Sequence, residues 1–146
     1  MFSKEESAKL RKEFWTSFGK SFPRKWILYN TQIKDFSFKF VANQKGAMVC
    51  LDIESYDATK NQLLFEQLTA IKNLIIEDYV PSIVFDDAFQ LENGKVIHRI
   101  YVKHTKEFSI HNKNTWQAAY EFFNLNMHQF EMFYDEFEDF IKQAVY

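Results

Sequence analysis

A single cysteine, Cys50, rules out an internal disulfide and any cysteine-based zinc cluster. The three glycines, Gly19, Gly46 and Gly94, stand far apart, so the chain has no glycine-rich loop to cradle a phosphate. Charge of one sign is also lacking. The formal net charge is −2, which supplies no global attraction to nucleic acid or to an anionic membrane. No apolar run approaches membrane-spanning length, and the N-terminal MFSKEESAKL is charged within four residues, without an apolar signal region. The expected compartment is therefore the cytoplasm, with no membrane partner. The four histidines, His98, His104, His111 and His128, fall at no metal-ligand spacing. Neither a metal nor a cofactor is expected. Ser109 and the other serines have no nucleophile-elbow context.

Aromatic side chains, by contrast, are abundant: 18% of 146 residues, with 17 Phe. Rings on this scale point to a core assembled from them rather than to an extended binding surface. They are densest near the C-terminus. Trp116, Tyr120, Phe123, Met127, Phe130, Tyr134, Phe137 and Ile141 alternate spacings of four and three, which keeps them on one face of a helix. Phe122, Phe133 and Phe140 widen that face. Asn114 is the expected N-cap, with Gln117 closing a capping box. A helix over residues 115–142 would run about 42 Å at ~1.5 Å per residue, and it needs a broad apolar surface to lie on.

Ser3 and Glu6 form a capping box for a first helix, roughly Lys4 to Lys20, whose buried side is Leu10, Phe14 and Phe18. Its surplus of lysines and arginine reads as a solvated face, with a partner-binding patch as the alternative. Trp26 to Thr31 is a short expected strand. Phe36, Phe38 and Phe40 alternate with Ser37 and Lys39, the period of a half-buried strand. The turn 43–46 joins it to a strand from Ala47 to Glu54, and Asp57 then caps a helix reaching Tyr79, before Pro81. The pattern repeats: Ile83 to Leu91 and Val96 to His104 flank an Asn-Gly turn, and Phe108 to His111 precedes the last helix. The expected fold is α+β, in the order helix-βββ-helix-βββ-helix. An antiparallel sheet carries the long helices on one face. The chain reads as one domain, 1–146, with residues 26–79 and 83–142 as two strand-strand-strand-helix units.

Strand alternation gives the best candidates for chemistry. Asp52 and Glu54 share the face away from Leu51 and Ile53, and Lys39 points the same way if Phe36, Phe38 and Phe40 face the helices. Two acids and a lysine are the parts of a metal-dependent nuclease, so these three are the candidate catalytic residues. The acid-x-Lys spacing of such sites is missing, because Asp52 is followed at that distance by Glu54 and Glu54 by Tyr56. Solubilising cross-strand pairs account for the same pattern without catalysis. Arg99, Tyr101 and Lys103 also point outward and are the candidate binding residues.

Four ordered segments, KEFWTSFGK (12–20), LLFEQL (63–68), LENGKVIHRIYV (91–102) and SIHNKNTW (109–116), resemble a bacterial family known as domain of unknown function 4268. The resemblance implies one intact bacterial cytoplasmic domain. Related domains also sit at the C-terminus of longer proteins whose N-terminal part looks nuclease-like, which implies a lean towards nucleic-acid-associated systems. The family supplies no catalytic residues to carry over. The leading expectation is a non-catalytic interaction module whose partner is another protein. The alternative is a nucleic-acid-processing accessory or degenerate nuclease. The acids of the last helix, from Glu121 to Asp139, are opposed only by Lys142, so this flank can face the basic first helix or a partner. A monomer or weak homodimer is expected.

Overall fold

The computed structural model describes residues 2–146. The first helix, α1 (Lys4–Ser21), starts as its capping box requires: Glu6 N donates to Ser3 Oγ at 3.1 Å and Ser3 N to Glu6 Oε1 at 3.3 Å. The strands are β1 (Phe36–Ala42), β2 (Ala47–Ile53), β3 (Val84–Gln90) and β4 (Val96–Lys103). They form one antiparallel sheet in the order β1-β2-β4-β3. Between the two hairpins run α2 (Ala58–Ala70) and α3 (Lys72–Asp78), and the chain closes with α4 (Trp116–Lys142). The class is α+β, as the patterning predicts.

The sheet's inner face is set by register. Phe36 lies opposite Ile53, Phe38 opposite Leu51, and Leu51 opposite Ile100, so large apolar side chains stand in rows across the strands. Those rows receive α4, whose Phe123, Met127, Phe130 and Phe133 are all fully buried. Phe38 meets Phe130, Phe133 and Tyr134 in edge-to-face contacts. Phe14 and Phe18 of α1 close the other end of the stripe against Trp116, Tyr120 and Phe123. The polar tips are satisfied: Tyr120 donates to Phe14 O at 2.8 Å and Tyr134 to Thr31 O at 2.6 Å. Of the eight residues that define the stripe, only Phe137 stays half-buried.

Four expected details differ. Trp26 to Thr31 is a loop, within which Leu28 (φ +38°) adopts a left-handed conformation that breaks extended pairing, and Gln32 (+65°) and Asp35 (+59°) follow in the turns before β1. One strand-like bond survives, Phe38 N to Leu28 O at 3.0 Å. Phe108 to His111 is not a strand either. Its one bond to the sheet side is Ile110 N to Asn43 O at 3.4 Å, and the segment runs on into a 3-10 turn, Lys113–Thr115. Among the described residues the sheet thus has four strands. The Asn114–Gln117 capping box does not form: Asn114 sits inside that turn, capped by Asn112, and Thr115 precedes α4 without a side-chain cap. The helix from Asp57 to Tyr79 breaks at Ile71. There Thr69 Oγ1 donates back to Phe65 O at 2.8 Å, a bond that bends helices, and the β-branched Ile71 follows.

Candidate functional site

The rings of α2 and α4 meet the inner face of the sheet, at His98 and Phe38, and the opposite face is the outer one. Alternation sends Ser37 and Lys39 of β1, Met48, Cys50 and Asp52 of β2, and Arg99, Tyr101 and Lys103 of β4 to this side. Register places Asp52 directly opposite Arg99. Arg99 binds it bidentately, Nε to Oδ1 at 2.8 Å and Nη2 to Oδ2 at 2.9 Å. Lys39 Nζ stands 3.3 Å from Asp52 Oδ2 and 2.6 Å from Glu54 Oε2, and Lys95 Nζ is 3.4 Å from Glu54 Oε1. The three candidate catalytic residues are therefore brought together, with Arg99 and Lys95 added.

Exposure departs from the sequence reading. Solvated cross-strand pairs are expected there, yet Asp52 is 0% exposed and Arg99 5%. The strand register shifts between Asp86 and Phe89, a β-bulge, and Phe89 stands over the guanidinium, 4.4 Å from ring centre to Arg99 Cζ, which covers Arg99. Nothing in the strand alternation announces that bulge.

Burial and pairing oppose one another in this network. Burial alone would lower the Lys39 pKa, but the hydrogen bond to Glu54 and the charges of Asp52 and Glu54 hold it above its ordinary value. For Glu54 burial works upward, and Lys39 and Lys95 together outweigh it, leaving the carboxyl below the usual range. Arg99 likewise loses by burial and gains more from Asp52. Cys50, opposite both Lys39 and Tyr101, has its thiol pushed up to about 12 by burial, so it is no nucleophile at neutral pH.

As a metal site this arrangement is poor. Both oxygens of Asp52 and both of Glu54 already face cations, and a divalent ion would have to displace them. Among the described residues no three His, Cys, Asp or Glu side chains are grouped to hold a metal. The histidines are dispersed. His98 stacks on Phe65 at 4.9 Å, His104 leans on Phe122 at 4.8 Å, His111 bonds Ser7 at 2.9 Å and His128 bonds Arg24 at 2.9 Å.

The candidate binding residues separate. Arg99 is spent on Asp52 and Phe89. Tyr101 and Lys103 line a neighbouring open cleft of about 240 Å³ with Asn43, Lys45, Gly46, Met48 and Phe89. Phe89 and Tyr101 meet edge to face, 5.7 Å apart at 72°. Alternation with Cys50 and Asp52 is the signal for Met48, but Lys45 and Phe89 carry none in the sequence. Lys45 lies in a turn whose reach needs the fold, and the bulge decides where Phe89 points.

The family model described as Domain of unknown function (DUF4268) matches residues 10–138. The chain belongs to that family. No curated protein and no solved structure matches it. The DUF4268 match takes in the whole sheet and all of α4 but its last residues, so both the charged network and the cleft fall within it. No described helix of this DUF4268 chain is long and apolar enough to cross a membrane.

Proposed function

We propose that this DUF4268 chain is a non-catalytic interaction module that meets another protein through the outer face of its sheet. One observation carries the reading. The acids that would do chemistry are all committed to cations, while Tyr101, Phe89 and Met48 stand at an open cleft beside the two lysines Lys45 and Lys103. A bacterial cytoplasmic setting goes with it on the sequence resemblance. Aromatic and Met side chains with a polar rim are the composition of recognition surfaces.

A photo-crosslinking residue at Val84, which lies opposite Tyr101 and is 41% exposed, tests this in the native cell. Leu125 on α4, 62% exposed, is the control position. A discrete protein adduct from Val84 and none from Leu125 supports the reading. Adducts from Leu125 alone move the interaction to the helices. Mg²⁺- or Mn²⁺-dependent cleavage of DNA or RNA that disappears in a folded Asp52→Asn variant overturns it in favour of a nuclease.

A further inference from the structure

The outer face treats its lysines in two different ways. Lys39 and Lys95 end on carboxylates, but Lys45 and Lys103, at the cleft, have no carboxylate within 4.0 Å among the described residues. The turn carrying Lys45 is held in shape. Asn43 Oδ1 accepts from Lys45 N at 2.7 Å and from Gly46 N at 3.0 Å. Lys103 lies across the same turn, its Cε 3.9 Å from where a Cβ on Gly46 would stand. Two unneutralised cations therefore flank an apolar hollow on backbone that needs no reordering. Cations on a braced turn beside partly exposed apolar side chains favour an anionic partner with an apolar anchor.

We infer that the Met48–Phe89–Tyr101 cleft takes an acidic peptide segment of a partner protein, its carboxylates meeting Lys45 and Lys103 and one aromatic or aliphatic side chain entering the hollow. The inference rests on the interaction reading above and adds the partner's chemistry. A single-stranded nucleic acid fits less well. Base stacking needs a free ring face, and Phe89 gives one face to Arg99 and meets Tyr101 edge-on. Backbone tracking needs an uninterrupted run of cations, whereas the recess next to Lys45 sets Glu92 among its cations Arg11 and Lys45.

The test titrates the isotope-labelled full chain with a capped acidic peptide carrying one central phenylalanine. The same peptide with serine in place of that phenylalanine and an oligothymidylate serve as competitors. Resonances of Asn43 to Met48, Phe89 and Tyr101 to Lys103 are expected to shift. The double variant Lys45→Glu with Lys103→Glu, both exposed positions, should keep its Tm and bind about tenfold more weakly. Added salt and the serine peptide should weaken binding in the same direction. An unchanged spectrum, shifts elsewhere, or binding indifferent to the double variant overturns the inference. So does oligothymidylate displacing the peptide at lower concentration. So, too, does a dimer in which a second copy's acidic α4 fills the cleft. If Val84 still crosslinks a protein while the peptide fails, the partner chemistry is wrong and the interaction reading stands. If Val84 crosslinks nothing, the reading of the outer face as the interaction surface falls.

Discussion

Asp52→Asn separates a buried ion pair from a solvated one. The substitution keeps the side chain's shape but removes the charge that holds Arg99 bidentately at 2.8 and 2.9 Å, and it leaves Arg99, only 5% exposed, without its hydrogen-bonded carboxylate. Hydrogen bonds to charged groups contribute ~1.5–3 kcal/mol each. Breaking a buried pair from one side costs ~3–5 kcal/mol in total. The new amide can still accept one bond from Arg99, and Lys39 keeps Glu54 at 2.6 Å, so the lower end, about 3 kcal/mol, is expected. At ~2–4 °C per kcal/mol for a chain of this size, Tm should fall by about 6–12 °C. Urea unfolding at neutral pH gives the free energy directly and shows whether the slope stays constant. The companion variant replaces both partners, Asp52→Leu with Arg99→Met. Because no buried charge remains on the strand pair, it should come within about 1 kcal/mol of the parent. A loss below about 1 kcal/mol for Asp52→Asn would refute the burial argument. So would a double variant as unstable as the single one.

Phe130→Ala, at 0% exposure between Phe38 and Phe133, should cost about 3–5 kcal/mol in the same assay, and an unchanged midpoint would mean α4 does not rest on the sheet. Glu54 has a depressed folded pKa, so its contribution is complete above the unfolded value of ~4.3 and disappears as pH falls through the lower folded one. Lys39→Met should flatten the acid limb of stability against pH, and an identical limb would exclude the pair as its source. His104 is lowered by burial and by Lys106, so it favours the neutral ring. Stability should decline as pH drops below ~6.5, and a His104→Phe variant should lose that slope. Cys50, with its thiol near 12 and buried, should not react with a thiol reagent until the chain unfolds, and prompt labelling of the native state would contradict its placement. In sedimentation across salt concentrations the chain should stay monomeric or weakly dimeric without salt dependence. A tight dimer that dissociates on Asp135→Lys would make the acidic flank an interface.

The sequence by itself determined the elements whose period is long or whose ends carry a chemical signal. The α4 stripe has eight members from Trp116 to Ile141, Ser3 and Glu6 form a local capping box, and the Phe36–Phe38–Phe40 alternation commits one face of β1 to the core. From alternation alone it also followed that Lys39 and Asp52 share a face, and they stand 3.3 Å apart. Short apolar runs were ambiguous, because Trp26 to Thr31 has strand composition while Leu28 within it takes a left-handed conformation. Only the tertiary structure decided how the outer face divides. The β2–β4 pairing sets Arg99 against Asp52 across 47 residues of chain, and the bulge in β3 lays Phe89 over the pair. In that arrangement the Asp52–Arg99 pair is buried, while Lys45 and Lys103 at the cleft have no carboxylate within 4.0 Å among the described residues. Side-chain period fixes which face a residue takes, but burial on that face depends on what another strand brings over it.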